Sequence, residues 1–298
     1  MRTPGVRMAI SITLLIALVV GLQIALERAA PAVAASTDNV LYVQSPEVLA
    51  RAALSYDALA ADLYWLRTVQ HYGRTKLSTD LAKKYDLLHP LLDLTTSLDP
   101  YFNVAYRFGA IFLAEPFPSG PGRPDQAIAL LEKGLRTQPA KWEFAQDIGF
   151  INYWWLHQYD EAARWFERAS KLPDAPAWLA AIAAVTLAQG GNRDSSRQLW
   201  QELARNAEAD WLKRAAEQRL LQLDAMDHID QLQGALAEYQ RRAGRPAGDW
   251  RDLIAARMLG GFPVDPLGLP YQLQSGTGKV TLSPESSLNP LPLEPIRR

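Results

Sequence analysis

One pattern narrows the folds open to this 298-residue chain more than any other: a segment that returns three times at almost constant spacing. Asp125–Leu135 (DQAIALLEKGL), Asp160–Ala169 (DEAARWFERA) and Asp194–Leu203 (DSSRQLWQEL) superpose with offsets of 35 and then 34 residues. Each carries a small residue (Ala127, Ala162, Ser196) and a bulky one four positions later (Leu131, Phe166, Trp200). Three further on stands Gly134 or Ala169, and Leu203 in the third copy. Four and seven are helical spacings, so both residues lie on one helix face. Small residues there let a partner helix approach, and bulky ones fill the groove between the two axes. A period in the mid-thirties is long enough for two helices and a turn. Pro100, Pro139 and Pro173 stand between units, where a helix that cannot continue through proline must stop.

This period and residue pattern resemble the tetratricopeptide (TPR) family, whose helix pairs repeat at about 34 residues. The preceding helices fit the resemblance, with Ala110, Gly149 and Ala184 at the close-packing position and Tyr106, Ala145 and Ala180 one turn earlier. Ser55–Pro100 reads as a degenerate further unit with Trp65 in its first helix, and His89-Pro90 implies a kink or a late start in its second. The resemblance implies an all-α solenoid of TPR-like helix pairs over 51–205, interrupted by the Pro/Gly connection Glu115–Pro124. Capping helices are expected over 206–245, one around Trp211–Leu221 and another from Ile229 to Arg242, stopped by Gly244 and Pro246. The Gly/Pro-rich tail 246–298 carries two β-capable pieces, Tyr271–Leu273 and Lys279–Leu282, which predict a hairpin in a small α+β cap. Within the tail, Trp250–Leu253 and Pro263–Tyr271 (PVDPLGLPY), preceded by Leu232–Arg242, resemble the C-terminal half of type II secretion major pseudopilins. Leu267 stands where that family has Trp, and the N-terminus lacks the pilin processing motif, so the chain is not itself a pseudopilin.

Met8–Leu26 is a run of 19 residues without a charge. As a helix it would span roughly 28 Å, the hydrocarbon thickness of a bilayer. Arg2 and Arg7 precede it, while Glu27 and Arg28 cancel, so the expected arrangement is an anchor over 1–28 with a cytoplasmic N-terminus. A linker over 29–50 would follow, and the bulk of the chain would lie outside a bacterial inner membrane. The competing reading is a cleaved signal peptide with Ala32-Val33-Ala34 as its processing site.

Composition removes several chemistries. Lys and Arg number 31 against 32 Asp and Glu, a balance unlike the basic surplus that phosphate backbones demand. There is no Cys, which excludes disulfides, thiolate metal sites and thiol nucleophiles. The four histidines fall in no metal or catalytic spacing. Asp224 and His228 share a helix face, yet Asp230 points elsewhere, so a charged surface is the expected use. Asp265, with Ser283, Glu285 and Ser286 nearby, has oxygen atoms a hard cation could use, although the two prolines and Gly268 around it equally define a tight turn. No enzyme, cofactor, metal or small-molecule substrate is expected.

What remains is recognition of protein by protein. Projecting the TPR groove onto this sequence gives a lining of Leu63, Leu66, Gln70, Arg107, Ile111, Glu143, Gln146, Phe150, Tyr153, Trp178, Ala181 and Val185. It is mainly apolar with one basic residue, which suits a helix or apolar segment of a partner. The chain's own C-terminal helices are the alternative occupant. The expected role is a scaffold or assembly factor for an envelope complex, with a pilus or secretion apparatus suggested by the pseudopilin-like tail. The alternative is an accessory or regulatory subunit of a membrane transporter or enzyme complex, touching its partner through the 115–124 loop.

Overall fold

The computed structural model describes residues 12–22, 45–80, 84–274 and 277–293. It is mostly helical, with a single two-stranded sheet among the described residues. Helix α1 is described over 12–22, with its side chains exposed. The rest of the Met8–Leu26 run, and most of the expected 29–50 linker, lie outside the described residues. Among those described, no helix is long and apolar enough to cross a membrane.

From Pro46 onward the helices follow one another closely: α2 (Pro46–Ala52), α3 (Asp57–Leu77), α4 (Leu88–Leu98), α5 (Asn103–Ala114) and α6 (Pro124–Thr137). Next come α7 (Trp142–Ile151), α8 (Tyr159–Ser170), α9 (Trp178–Gln189), α10 (Arg193–Asn206), α11 (Asp210–Ala243) and α12 (Trp250–Ala255). Packing follows chain order. Helix α3 lies against α4, α5 against α6, α7 against α8 and α9 against α10, and each pair also touches the next. Helices α4, α6 and α8 end two or three residues before Pro100, Pro139 and Pro173. Helix α4 begins at Leu88, which places Pro90 in its first turn, where a missing N–H costs nothing.

The small residues do what their spacing suggests. A Cβ on Gly149 would stand 2.5 Å from the Phe166 ring, and one on Gly134 would meet Phe144 at 2.7 Å and Tyr106 at 3.1 Å. Such approach is open only to glycine, so α7 lies directly on the ring carried by α8. Ala127, Ala162 and Ser196 are buried, as are Leu131, Phe166 and Trp200.

Two features depart from the expectations. Trp211 and Ile229 do not belong to separate helices: α11 runs unbroken for 34 residues to Gly244, whose φ of 69° ends it. The stretch Gln222–His228 holds neither Pro nor Gly, so nothing local interrupts the backbone ladder. Between α7 and α8, Asn152–Leu156 winds as a single π turn, closed by His157 at φ 54°. Asn152 is buried and donates its side-chain amide to the Ile148 carbonyl at 2.9 Å.

The first half of α11 covers α10, burying Leu212 and Ala216. Across that interface Arg193 and Arg197 bridge Asp224, Asp227 and Asp230 at 2.5–3.1 Å, so these carboxylates join two helices rather than face solvent alone. The second half of α11 supports the C-terminal region. Leu232, Leu236 and Tyr239 pack with Trp250, Leu253, Tyr271, Val280, Leu282 and Leu288. Strands β1 (Gln272–Gln274) and β2 (Lys279–Thr281) pair antiparallel, Leu273 opposite Val280. Ser275 and Gly276 of the intervening turn lie outside the described residues.

Candidate functional site

A cavity of about 420 Å³ opens where α7, the π turn, α8, α9, α10 and α11 converge. Phe150, the last residue but one of α7, sets one wall, and the π turn adds Tyr153 and Trp154. Phe166 of α8 and Trp200 of α10 form a floor from residues that are themselves buried. Helix α9 contributes Trp178, Ala181, Ile182, Val185, Thr186 and Gln189 along one face. Ala215 and Arg219 of α11 complete the lining.

The aromatic rings are held in place. Phe150 stands edge-on to Phe166, with centroids 5.1 Å apart, and Trp178 edge-on to Trp142 at 6.4 Å. Edge-to-face contacts of this kind fix ring orientation as well as adding apolar burial. Tyr153 packs edge-on to both Trp154 and Tyr159, and its hydroxyl donates to Gln189 Oε1 at 2.8 Å. Trp154 is 61% exposed and Trp178 38% exposed, so two indoles stand at the rim. The π turn separates the neighbouring tryptophans: Trp155 packs into the core formed by α3 to α7, leaving Trp154 at the cavity. Insertions of this type tend to occur where a helix must re-aim a side chain for use.

Of the lining projected from sequence, Phe150, Tyr153, Trp178, Ala181 and Val185 come together here. The others do not. Leu63 and Leu66 are exposed on α3, in line with Leu59 and Val69 at helical spacing, and Ile111 is exposed on α5 beside Val104 and Phe108. Gln146 is half-buried on α7 and outside the cavity lining. Arg107, the basic residue expected to face a ligand, binds Asp147 through two hydrogen bonds of 2.6 and 3.1 Å. Burial lifts the Asp147 carboxyl above its ordinary range even against the pull of Arg107. That pair joins α5 to α7, and its guanidinium is committed to the fold.

Sequence reasoning assigned Phe166 and Trp200 to the core and α11 to a cap, and so missed both the cavity floor and Arg219. A signal was present: Ala215, Arg219 and Gln222 follow one another at four and three residues, one stripe of a helix. Of the C-terminal helices, the alternative occupant, α11 contributes Ala215 and Arg219 to the cavity wall.

Two other places carried chemical expectations. Asp265 is buried, and its oxygens are taken up within the chain. Oδ1 accepts the amides of Leu267 and Leu269 at 2.9 Å each, and Oδ2 accepts the Ser286 hydroxyl at 2.6 Å. Burial raises its pKa, but the Ser286 hydroxyl and the loop amides outweigh it and hold the carboxyl below the usual range. Its lone pairs face donors, so its role is to tie the turn to the Ser283–Ser286 segment. The 115–124 loop is likewise held by its own chain. Glu115 accepts from Tyr72 and from Lys76 Nζ at 2.7 Å, and the Tyr85 hydroxyl donates to the Ser119 carbonyl at 2.9 Å. Burial, reinforced by Glu115, pushes the Tyr72 phenol up to about 12, which keeps it a donor at neutral pH. Among the described residues, no group of three or more acidic or His side chains is placed to hold a metal ion.

No protein-family model, curated protein or solved structure matches this chain.

Proposed function

We propose that this protein is a TPR-like scaffold that binds an apolar segment of another protein, anchored to the outer face of a bacterial inner membrane through Met8–Leu26. The observation that carries this reading is the aromatic-lined cavity with Trp154 and Trp178 at its rim. Tryptophan and tyrosine are enriched among the few residues that dominate binding energy in protein interfaces, because they remove large areas from water at little entropic cost. An opening walled by rings that are already fixed against one another is pre-organised to receive such a segment.

The architecture supports the TPR-like reading in a second way. Helices pair in chain order, and Gly134 and Gly149 lie against rings of neighbouring helices. The exposed apolar stripe on α3 and the neighbouring residues of α5 offer a further surface for an extended partner. An uncharged run after two arginines supports the anchor and its orientation. The pseudopilin-like tail makes a pilus or secretion apparatus the most specific candidate among envelope complexes, on family analogy alone.

The test uses photo-crosslinking groups placed at Trp154 and Trp178 in intact cells, in the full chain and in a Phe150→Glu/Trp178→Glu double variant, where the group sits at Trp154 only. A discrete protein adduct is expected from the native cavity. It should vanish in the double variant while far-ultraviolet circular dichroism keeps its helical signal. An adduct from Trp154 that survives both substitutions would remove the cavity from the binding surface.

A further inference from the structure

Among the described residues, Arg219 is the only charged one in the wall of the cavity. Its setting differs from that of the other buried or half-buried arginines nearby. Arg107 meets Asp147, while Arg193 and Arg197 meet three carboxylates of α11. Among the described residues Arg219 has no carboxylate within ion-pair distance; its one hydrogen bond runs from Nη1 to Gln222 Oε1 at 2.7 Å. Helix α9, which faces it across the cavity, carries no charge over its 12 residues.

The guanidinium is also held. Gln222 is buried, and its Nε2 donates to the carbonyls of Leu288 and Pro290 at 2.8 and 3.1 Å. Carbonyls can only accept, so the amide nitrogen must face them and the amide oxygen is left to face Arg219. The C-terminal segment thus fixes Gln222, and Gln222 fixes Arg219. Four of the five N–H donors remain without a partner named by this geometry. A cation in an apolar wall is a poor neighbour for a purely apolar ligand, because seating one there would desolvate the charge with nothing in return.

We infer that the segment bound in this cavity carries a carboxylate side chain next to a bulky apolar residue: the apolar group among Phe150, Tyr153 and Trp178, the Asp or Glu on Arg219. This rests on the cavity's being a protein-binding site, and it adds the chemistry of the partner. Charge complementarity selects the occupant. Planar guanidinium and carboxylate pair through two parallel hydrogen bonds, which a neutral amide cannot match. The low polarity of the surrounding rings strengthens the pair relative to one in water.

A library of random twelve-residue peptides displayed on phage, selected on the full chain and on three variants, tests this. On the native chain, Asp or Glu beside Leu, Ile, Phe or Trp should be enriched. On Arg219→Gln the acidic preference should disappear while the apolar preference stays. A selected peptide should bind the native chain about tenfold more tightly than its Glu→Gln counterpart, a difference near 1.4 kcal/mol, and Arg219→Gln should bind the two alike. Equal acidic enrichment on Arg219→Gln would overturn the inference and leave the cavity standing as a binding site. Enrichment unchanged on Phe150→Glu/Trp178→Glu would overturn the cavity reading itself. Selection that succeeds only on Glu294→Gln, a change to the acidic residue of the C-terminal 294–298 outside the described residues, would make the chain's own C-terminal segment the occupant and would equally overturn the proposal.

Discussion

The paired helices α5 to α8 and the C-terminal region from α12 to β2 reach a packed interior by different means. In the first, one kind of contact recurs: a glycine on one helix (Gly109, Gly134, Gly149) lies beneath a ring or a leucine of a neighbouring one. In the second, single polar atoms carry the structure. Asp265 gathers two amides and a hydroxyl, and Trp250 Nε1 donates to the Tyr271 carbonyl at 3.0 Å. A repeated contact spreads its energy over many similar ones and tolerates compensation. A polar hub concentrates energy in a few atoms whose partners are left unsatisfied when it is lost.

The largest effect is expected where the repeated contact is tightest. Phe166 is buried with Ala145, Ala162, Ala169, Leu179 and Ala183 around it. Phe166→Ala should cost about 3–5 kcal/mol, as truncation of a buried ring leaves a cavity that helices can only partly close. Thermal or urea unfolding followed by circular dichroism measures it. Compensation can be tested directly, since Gly149→Ala alone would push a methyl into the ring, and Phe166→Leu alone would leave a gap. The double variant should be more stable than the sum of the two losses by about 1 kcal/mol or more. Strict additivity would break the view of this contact as one exchangeable unit.

Asp265 should behave otherwise. Its carboxyl titrates below the ordinary range in the folded chain, so the folded state binds a proton less readily than the unfolded one. Stability from this group is therefore complete above the unfolded value near pH 4 and falls as the pH drops through the lower folded value. Asp265→Asn keeps the shape and removes the charge. It should cost about 1.5–3 kcal/mol at neutral pH, the range for hydrogen bonds to charged groups. It should also flatten the acid limb of the stability profile by roughly one proton. An acid limb identical to that of the native chain would show that the carboxylate is not the anchor of the turn.

What could be read from the sequence divides along the same line. The hairpin helices, their proline boundaries and the burial of Ala127, Ala162, Leu131 and Phe166 all follow from a local period, which is visible without knowing any partner. Phe150, Tyr153 and Trp178 were reachable because they recur on the first helix of each pair or just beyond it. For Arg219 the sequence shows only that it shares a helix stripe with Ala215 and Gln222; that this stripe meets the cavity depends on α11 folding back over α9 and α10, a contact with no period to announce it. Nor was the role of Asp265 legible: a carboxylate between two prolines reads equally as turn or cation ligand until Ser286 is seen to approach from 21 residues away. Between Trp211 and Arg242 there is no proline, and the one glycine, Gly234, lies beyond the expected break between Leu221 and Ile229, so the sequence holds no local reason to divide α11 there. The π turn had no signature at all beyond two adjacent tryptophans.

The smallest effect is the most discriminating. Ser196 replaces the alanine of the other two repeats, is fully buried, and donates its hydroxyl to the Ala184 carbonyl at 2.7 Å. Distance and burial alone would make this bond the equal of the one from Ser286 to Asp265. The settings differ. Ala184 lies within α9, where its carbonyl also accepts the helical N–H four residues on, so losing the hydroxyl leaves no orphaned acceptor. Ser196→Ala also removes the hydroxyl itself and restores the small apolar residue of the period. Its cost should stay within about 1 kcal/mol, well below that of Asp265→Asn measured under the same conditions. If the two substitutions proved equally damaging, burial and bond length would be sufficient descriptors, and the distinction between repeated contact and polar hub would carry no energetic meaning.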